Sequence, residues 1–386
     1  MLEENAEVYL ENKDALSPID IASKEIKRRI HRKLNEIKVN ERKQIDLLMK
    51  KINELHENLE NKLNEKEEKS IVACKINHLQ ARLNNTLLFS LNKVHLISCS
   101  VDHSIKIWDI ANEVCLRTLT GHKSTVRCIK QSYNGNLLSS SSDGALKIWD
   151  LESEKCLKAF QAQNQFSSNL KIMNNGDLII GLADGKILVF NTCNWKCTCV
   201  LNGHTNSVRS IRCLNNGLIV SASFDTTIRI WDLNAENENK CIKIIEAHDD
   251  QISSIKLSKS GHLFSCSFDR TIKKWDLNTA VCLKKLSGHA DKIRSIKLMN
   301  NQNFLISGAW DRTIKMWDVE NEACIKTIPT LVPIRSLKLI SSDYLLSGNN
   351  NGEIQVWSLA ENKSIKTFKA HNECIMSLKF LKNNSF

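Results

Sequence analysis

Apolar residues follow two different periods along the chain. Between residues 19 and 70 they recur mostly at intervals of three and four, as in Ile26, Ile30, Leu34 and Ile37, which predicts a helix with one narrow apolar seam. From about residue 85 onward, short β-type runs alternate with turn residues, which predicts many short strands. The pattern divides the chain into a helical N-terminal part and a β-rich remainder.

The N-terminal seam predicts a coiled coil. It continues through Ile45, Leu48, Ile52, Leu55, Leu59 and Leu63. A helix of about 47 residues would form a rod on the order of 70 Å long, and its exposed Leu/Ile stripe is expected to pair with another helix. We predict an acidic tail at residues 1–18 and a self-associating coiled-coil helix at residues 19–70. A lone charged helix, or one that folds back on the second domain, is the alternative.

A repeated unit of about 42 residues fills the rest of the chain. The repeats place Trp108, Trp149, Phe190, Trp231, Trp275, Trp317 and Trp357 in one column. Each unit contains four short β-type runs, as in VRSIRCL, LIVSAS, TIRIWDL and KCIKII. Four such strands cannot bury two apolar faces alone, so neighbouring units must stack, and blades around a central axis satisfy this requirement.

Short motifs within the units carry a family resemblance. Gly-His pairs at residues 121–122, 203–204 and 288–289, related Ala-His pairs at 247–248 and 370–371, and five Trp-Asp pairs recur in the units. Together with the period, they resemble the WD-repeat β-propeller family over about three quarters of the chain. The resemblance implies an all-β fold for residues 71–386, a seven-bladed WD-repeat β-propeller preceded by the long α-helical coiled coil.

The resemblance also implies a structural tetrad of His, Ser, Asp and Trp in each complete unit. The Asp of a tight turn accepts bonds from turn N–H groups and from the His, while the Ser links the His to the indole N–H. Four units carry the whole set: His122, Ser139, Asp143 and Trp149; His204, Ser221, Asp225 and Trp231; His248, Ser265, Asp269 and Trp275; and His289, Ser307, Asp311 and Trp317.

Three units depart from this set. The departures are Ala81 in the His register of the first unit; Gln163, Ile180 and Phe190 for His, Ser and Trp in the third; and Thr330 and Asn351 for His and Asp in the seventh. We expect the turns of these three blades to be less rigid than the turns of the other four.

The two ends of the repeat region do not decide how the ring of blades closes. Residues 370–386 read as a partial extra repeat, the opening of an eighth unit that then stops. Residues 71–76 could be an outer strand that closes the ring from the N-terminus, the usual closure in the family that the chain resembles. Seven blades are the prediction, and an eight-bladed ring or a chain that continues beyond residue 386 is the alternative.

The repeated His, Ser and Asp residues do not predict an enzyme. They look like hydrolase triads, but a catalytic site is needed once, whereas this set occurs four times and its Ser is committed to a Trp. No Walker loop, dinucleotide fingerprint, kinase set or HExxH helix occurs in the sequence. We therefore predict no catalytic residues and no cofactor.

The 14 Cys are interpreted as reduced thiols. No apolar run is long enough for a membrane span and no secretory signal is visible, which favours the cytoplasm, with the nucleus left open by a basic cluster at residues 24–33. Six Cys, at positions 115, 156, 197, 241, 282 and 324, form a column that is expected to mark a small buried residue on the last strand of each blade. Cys193, Cys197, Cys199 and His204 lack the spacing of a structural zinc site, so no metal is predicted.

The positive charge of the chain belongs to the repeat region. The formal net charge is +11, but residues 1–70 hold 15 Lys and Arg against 16 Asp and Glu. The basic residues of the repeat region are distributed over every blade instead of forming one run. This distribution makes nucleic acid or a phosphoinositide a secondary alternative and favours acidic or phosphorylated peptides as ligands.

One face of the propeller is the predicted binding site. The resemblance implies that the turns before the first strand and between the second and third strands open around the mouth of the central channel. Arg127, Arg209, Arg294 and Arg335 share one position on the first strand, and Phe224, Phe268 and Trp310 precede the turn Asp in three successive blades. Aromatic and Arg side chains on one rim are typical of protein-recognition hot spots. The alternative is that these Arg only hydrogen-bond to neighbouring loops.

Together these features predict a non-enzymatic protein–protein interaction scaffold. The coiled coil would make it a homo-oligomer, and the propeller rim would bind peptide or protein partners. An alternative is the substrate-recognition subunit of a ubiquitin ligase complex, because some propellers that this one resembles use Arg at such positions for phosphorylated motifs. No F-box, RING or B-box is recognisable in the sequence, which counts against that alternative.

Overall fold

The computed structural model describes residues 95–381, apart from residues 133–134, 162–166, 237–239 and 300–302. Within these ranges the chain forms 28 β-strands and no helix. The strands pair into seven antiparallel sheets of four strands each, which confirms the predicted seven-bladed, all-β propeller. The predicted tail at residues 1–18 and coiled-coil helix at residues 19–70 lie outside the described residues.

The strands are short and follow one another through tight turns. The first fourteen are β1 (His95–Ser100), β2 (Ile105–Asp109), β3 (Val114–Leu119), β4 (Val126–Gln131), β5 (Leu137–Ser141), β6 (Ala145–Trp149), β7 (Cys156–Gln161), β8 (Ser167–Ile172), β9 (Leu178–Leu182), β10 (Ile187–Asn191), β11 (Lys196–Leu201), β12 (Val208–Cys213), β13 (Ile219–Ser223) and β14 (Thr227–Trp231). The remaining fourteen are β15 (Cys241–Glu246), β16 (Ile252–Leu257), β17 (Leu263–Ser267), β18 (Thr271–Trp275), β19 (Cys282–Ser287), β20 (Ile293–Leu298), β21 (Phe304–Ala309), β22 (Thr313–Asp318), β23 (Ala323–Pro329), β24 (Ile334–Leu339), β25 (Tyr344–Asn349), β26 (Glu353–Ser358), β27 (Lys363–Lys369) and β28 (Ile375–Phe380).

Six blades are built from four successive strands each. Blade 2 contains β4 to β7, and blades 3 to 7 continue in the same way up to β27. Blade 1 has the order β28, β1, β2, β3, because the last strand pairs antiparallel with the first, with Leu96 opposite Phe380. The innermost strands contact one another in a closed cycle around a central channel, so β28 closes the ring.

This pairing corrects the interpretation of the C-terminal segment. In the described part of this segment, residues 370–381, the strand Ile375–Phe380 does not begin an eighth blade but supplies the inner strand of blade 1. Ile375 and Leu378 pack against Leu346 and Ile354 of blade 7, an apolar surface that would otherwise be exposed. The N-terminal closing strand that the sequence suggested, at residues 71–76, lies outside the described residues.

The hydrophobic core lies between neighbouring blades. In the cluster between blades 4 and 5, Val220 and Ile228 of one blade pack with Ile255 and Trp275 of the next. Each of these side chains is at most 4 % exposed. Burying one large apolar side chain contributes about 1.5–3 kcal/mol, so each blade is stabilised mainly by its two neighbours.

A β-bulge at the second residue of every inner strand sets which side chains face the channel. In β12 the register with β13 shifts between Val208 and Ser210, so Arg209 is the extra residue. A bulge changes the direction in which the following side chains point. Arg209, Ser210 and Arg212 therefore line the channel, while Val208 and Ile211 are buried in the core.

The Cys column does not mark buried residues, so that expectation is wrong. Five of the six Cys are exposed, and Cys241 is partly exposed. The last strand of each blade is an edge strand that faces solvent, and its buried apolar residue comes four positions later, as with Leu119 after Cys115. In blade 1 the pairing of β2 with β3 shifts register at Trp108, which lies opposite Cys115.

Candidate functional site

Buried polar networks hold the tight turns of four blades where the sequence predicted them. In blade 4, His204 Nε2 lies 2.7 Å from Ser221 Oγ, and His204 Nδ1 lies 2.7 Å from Asp225 Oδ2. Trp231 Nε1 donates to Ser221 Oγ at 2.7 Å. The same contacts measure 2.6 to 3.2 Å in the tetrads of blades 2, 5 and 6, which are His122, Ser139, Asp143 and Trp149; His248, Ser265, Asp269 and Trp275; and His289, Ser307, Asp311 and Trp317.

The bonds of a tetrad imply one arrangement of protons. Because Ser221 Oγ accepts the indole N–H, its own hydroxyl is available to donate to His204 Nε2. The Nδ1–H of His204 then donates to Asp225, whose other oxygen accepts the backbone N–H of Thr227. Ser221 is fully buried, so a substrate cannot reach its hydroxyl. The tetrad is therefore a turn-stabilising network and not a hydrolase triad.

Burial and hydrogen bonds set the charges within the tetrads. Burial alone would raise the pKa of the Asp carboxyl groups, but bonds from the His, a Thr hydroxyl and turn N–H groups more than offset it. The pKa of Asp311 falls to about 2, and the pKa values of Asp225 and Asp269 also lie below their usual range. Burial lowers the pKa of His204 and His248 despite the neighbouring carboxylates. In blades 4 and 5 a neutral His therefore pairs with a carboxylate at neutral pH.

Blade 1 has a complete tetrad, which corrects the expectation that Ala81 stands in its His register. His371 Nε2 lies 2.6 Å from Ser98 Oγ, and His371 Nδ1 lies 2.9 Å from Asp102 Oδ2. Trp108 Nε1 donates to Ser98 Oγ at 2.8 Å. The His of a tetrad precedes the inner strand of its blade, and because that strand is β28 here, the His comes from the C-terminal end of the chain.

Blades 3 and 7 lack the complete tetrad, as the sequence predicted. In blade 3 the Ser position holds Ile180, which is fully buried among apolar side chains. In blade 7, Trp357 still donates to Ser347 at 2.8 Å. The Oδ1 atom of Asn349 accepts the N–H groups of Asn351 and of Glu353, both at 3.0 Å, and so holds the turn. The position of Gln163 lies outside the described residues.

Three aromatic side chains from neighbouring blades form a row beside the channel mouth. The ring centroids of Phe224 and Phe268 are 5.5 Å apart, and those of Phe268 and Trp310 are 6.5 Å apart. The backbone N–H of each aromatic residue donates to the carbonyl of the residue just before the inner strand of its own blade, as Phe224 does to Ser207 O at 2.9 Å. The row therefore forms because blades 4, 5 and 6 each carry a large aromatic residue at the same position.

Cationic side chains lie against these rings. The guanidinium of Arg209 is 5.0 Å from the Phe224 centroid, and that of Arg294 is 5.0 Å from the Phe268 centroid and 5.7 Å from the Trp310 centroid. Such contacts between a cation and an aromatic face contribute about 0.5–2 kcal/mol. The Nζ of Lys292, which the sequence did not single out, lies 4.9 Å from the Phe268 centroid. We call these six residues, Phe224, Phe268, Trp310, Arg209, Arg294 and Lys292, the aromatic–cation cluster.

The other two predicted Arg residues are not part of this cluster. Arg127 Nε donates to Ser142 Oγ at 2.7 Å, in the blade where Ser142 takes the place of an aromatic residue. Arg335 lies with one terminal nitrogen 3.5 Å from the Met376 sulfur. The structure thus divides the four Arg into two that stack on aromatic rings and two that contact neighbouring strands and turns.

Two buried donors in the aromatic–cation cluster have no hydrogen-bond partner among the described residues. They are Arg209 Nε and Trp310 Nε1. Leaving a buried donor unpaired costs about 1–3 kcal/mol, so each such group needs an explanation. Burial, together with the charges of Arg127 and Arg335, lowers the pKa of Arg209 to about 9. Two separate acceptor atoms of one ligand could satisfy these donors.

One exposed apolar side chain lies on the same face. Leu331 is 88 % exposed in the turn that leads into β24, and the preceding Thr330 is anchored by its N–H to Arg312 O at 2.7 Å. Corresponding turns in the other blades carry polar or small residues at this position, such as Lys123 and Thr205. Sequence reasoning missed Leu331 because a single Leu in a turn gives no periodic signal.

The described part of the chain offers no metal centre. No group of three or more His, Cys, Asp and Glu within it is arranged to hold a metal ion. Cys193 and Cys197 are exposed, whereas His204 is bound within the tetrad of blade 4. The same described residues include no helix that is long and apolar enough to cross a membrane.

Five segments of the chain match the family model described as WD domain, G-beta repeat. They are residues 76–109, 113–150, 195–232, 239–276 and 280–318. These segments end at the Trp columns of blades 1, 2, 4, 5 and 6, the five blades with a complete tetrad. No curated protein gives a significant match to the chain. The tetrad and the family match therefore mark the same blades.

Proposed function

Because the chain belongs to the WD-repeat β-propeller family, whose fold is typical of protein-interaction scaffolds, we propose that it binds an extended peptide at one face. The proposed site is the aromatic–cation cluster. The ligand has acidic or phosphorylated residues that contact Arg209, Arg294 and Lys292 and an apolar residue that contacts the aromatic row. Propellers of this family are generally non-enzymatic, and the proposed role requires no catalysis.

The observation that carries this proposal is the pair of unpartnered donors, Arg209 Nε and Trp310 Nε1. The Arg209 guanidinium lies 5.0 Å from the Phe224 centroid with no partner for its Nε, and a guanidinium edge matches the geometry of a carboxylate or phosphate. Buried aromatic and Arg side chains at the centre of a contact surface supply most of the free energy of binding in known interfaces.

Acidic residues on the same face leave the Arg charges available. Asp250 and Asp291 lie in the turns before β16 and β20, but their Oδ1 atoms accept the backbone N–H groups of Gln251 and Lys292. Within the described residues, neither Asp forms an ion pair with Arg209 or Arg294. Asp250 and Asp291 therefore do not compete with a ligand anion for Arg209 or Arg294.

The proposal is tested by titrating the full chain with an array of fluorescent peptides that differ only in charge, with Ser, phosphoserine or Glu at set positions. We expect phosphoserine or Glu peptides with a neighbouring apolar residue to bind, and Arg209→Ala with Arg294→Ala to weaken binding at least 10-fold, or about 1.4 kcal/mol. The matched control is Arg127→Ala, which removes an equivalent Arg outside the cluster. The proposal would be contradicted if the Arg127→Ala control lost as much peptide affinity as the double variant, or if neutral and acidic peptides bound equally well.

The N-terminal seam adds a second part to the proposal, namely that the coiled coil joins two or more propellers. Linked sites raise avidity by about 10² to 10⁴ when a partner offers several motifs. Light scattering of the full chain should give a multiple of 43.9 kDa. Leu48→Glu with Leu55→Glu places charges on the seam and should yield the monomer mass, whereas the off-seam control Asn53→Glu with Asn61→Glu should not. A monomeric wild-type chain would contradict this part alone.

A further inference from the structure

Every inner strand carries a Lys or Arg at its fifth residue, and the proposed peptide site does not use these side chains. The seven residues are Lys130, Lys171, Arg212, Lys256, Lys297, Lys338 and Lys379. Because each inner strand has its bulge at the second residue, the third and fifth side chains share the channel side. We call these seven residues the channel ring.

The channel ring surrounds a cavity of about 140 Å³. Five of its members line the cavity directly, and the described lining contains no carboxylate. Ser residues from the third position of the inner strands, such as Ser254 and Ser295, form a hydroxyl layer next to the ring. Since a strand rises about 3.3 Å per residue, the hydroxyl layer and the channel ring are about 7 Å apart. The cavity is thus bounded by hydroxyl donors on one level and by cations on the next.

Two members of the channel ring contact uncharged acceptors. Arg212 donates to Ile211 O at 2.6 Å, and Lys256 Nζ donates to Ser254 Oγ and to Ile255 O, both at 3.1 Å. On the outer flank of the blades, by contrast, Lys274 pairs with Glu320 at 2.9 Å. These hydrogen bonds therefore leave the positive charges of Arg212 and Lys256 uncompensated.

Crowding of like charges gives the channel a strong preference for an anion. Burial is the main cause that lowers the pKa of Lys256 and Lys297, and other members of the channel ring lower it further. For Lys130 the charge of Lys379 is the largest cause. Like charges that are shielded from water repel one another strongly, and an anion placed among them removes that repulsion.

We propose that the channel binds one small polyphosphate anion, such as pyrophosphate, between the hydroxyl layer and the channel ring. A cavity of about 150 Å³ holds a benzene molecule, so this cavity of about 140 Å³ admits a diphosphate but not a ring that carries several phosphate groups. Lys ammonium groups bind phosphate as point charges and tolerate varied phosphate positions. The walls are continuous inner strands, so a bilayer or a nucleic acid duplex cannot enter. Arg209 and Arg294 of the aromatic–cation cluster also line this cavity, so the residues that distinguish the two sites are those of the channel ring, which only the anion uses.

Calorimetric titration of the full chain with pyrophosphate tests this inference. We expect one anion per propeller, and at 100 times Kd a rise in the melting temperature of roughly 5 °C or more. Lys256→Gln with Lys297→Gln should weaken binding at least 10-fold, and Lys130→Gln with Lys379→Gln should do the same from the other side of the ring. Without the anion both variants should melt no lower than wild type, because each removes two mutually repelling charges. The matched control, Lys158→Gln with Lys285→Gln, changes two exposed Lys on outer strands and should bind as wild type does.

Four results would overturn the inference. The first is absence of binding at low salt, and the second is unchanged binding in both channel variants. The third is an equal thermal shift from sulfate at the same ionic strength, which would show no preference for a polyphosphate. The fourth is tighter binding to phosphoinositide vesicles than to the free anion, which would place the site on an outer surface. The two channel variants change no residue of the aromatic–cation cluster and should leave peptide binding unchanged, so the two proposals fail separately.

Discussion

Blades 4 to 6 and blades 3 and 7 occupy equivalent places in the ring with different side chains. Each of blades 4 to 6 has a closed tetrad and contributes one aromatic residue to the aromatic–cation cluster. Blade 3 has Ile180 and Phe190 in place of the polar Ser and the Trp, with Ala183 before its tight turn. Blade 7 has Asn350 at that position. Both kinds of blade form the same four-stranded sheet.

The comparison shows that the fold and the proposed site place different demands on a blade. Removing all partners of a buried network together leaves no orphaned donor, so an apolar replacement such as Ile180 is tolerated. The aromatic row instead needs three adjacent blades with large rings at one position. The fold therefore permits exchange of these residues in individual blades, whereas the proposed peptide site is confined to blades 4 to 6.

The largest expected difference between the two kinds of blade concerns the Trp column. Trp231 is fully buried, and Trp231→Ala should lower the free energy of unfolding by about 3–5 kcal/mol. Phe190 is only partly buried, so Phe190→Ala should cost less. Urea denaturation followed by circular dichroism measures both. Equal losses would show that blade 3 depends on its aromatic residue as much as blade 4 does.

The second prediction concerns the contact between blade 7 and the C-terminal segment. Gly352 has a φ of +77°, and a Cβ there would lie 2.2 Å from His371 O. Gly217 has a φ of +88° with no atom within 4 Å of a Cβ, so it serves as the matched control. Both substitutions to Ala add backbone strain, but Gly352→Ala should cost about 1–3 kcal/mol more in urea denaturation because of the steric overlap. Similar costs would show that the segment around His371 adjusts freely.

The third prediction is that the tetrads of the complete blades contribute to the free energy of unfolding in a way that depends on pH. Because the pKa of Asp311 is lowered from 3.8 to about 2 in the folded state, its stabilising effect is complete above about pH 5 and is lost as the pH falls towards 2. At pH 6, Asp311→Asn should cost about 1.5–3 kcal/mol, the value of hydrogen bonds to a charged group. The difference between variant and wild type should shrink between pH 5 and pH 2. Asn351→Ala in blade 7, which removes no carboxylate, should show no such trend.

The smallest expected effect is a difference in local opening. The tight turns of blades 3 and 7 should exchange amide hydrogens faster than those of the tetrad blades, because they lack the His–Asp link. Blade 1 should behave as a tetrad blade, since His371 completes its network. Hydrogen exchange with mass spectrometry resolves these turns. The strongest protection in blades 3 and 7 would contradict the role assigned to the tetrads.

The candidate site was predictable as residue types but only partly as an arrangement. Arg209, Arg294 and the three aromatic residues stand at repeated positions, so their shared face follows from the period. The stacking of Arg294 between Phe268 and Trp310 depends on the angle between blades, which no local pattern encodes. Lys292 and Leu331 lie in turns without periodic signals, so sequence reasoning did not find them.

The amino-acid sequence by itself predicted seven blades, four strands in each repeat and four of the five tetrads, because these features recur at short, regular intervals, but it left an eight-bladed ring open. Only the tertiary structure decided how the ring closes, since the pairing of Leu96 with Phe380 joins residues from opposite ends of the repeat region. The fifth tetrad follows from that closure. The channel ring likewise depends on the bulge in each inner strand, and five of its seven basic residues line the central cavity. Local periodicity in the sequence specifies each repeat. The closing of the ring and the gathering of basic side chains at the channel depend on the geometry of all seven repeats together.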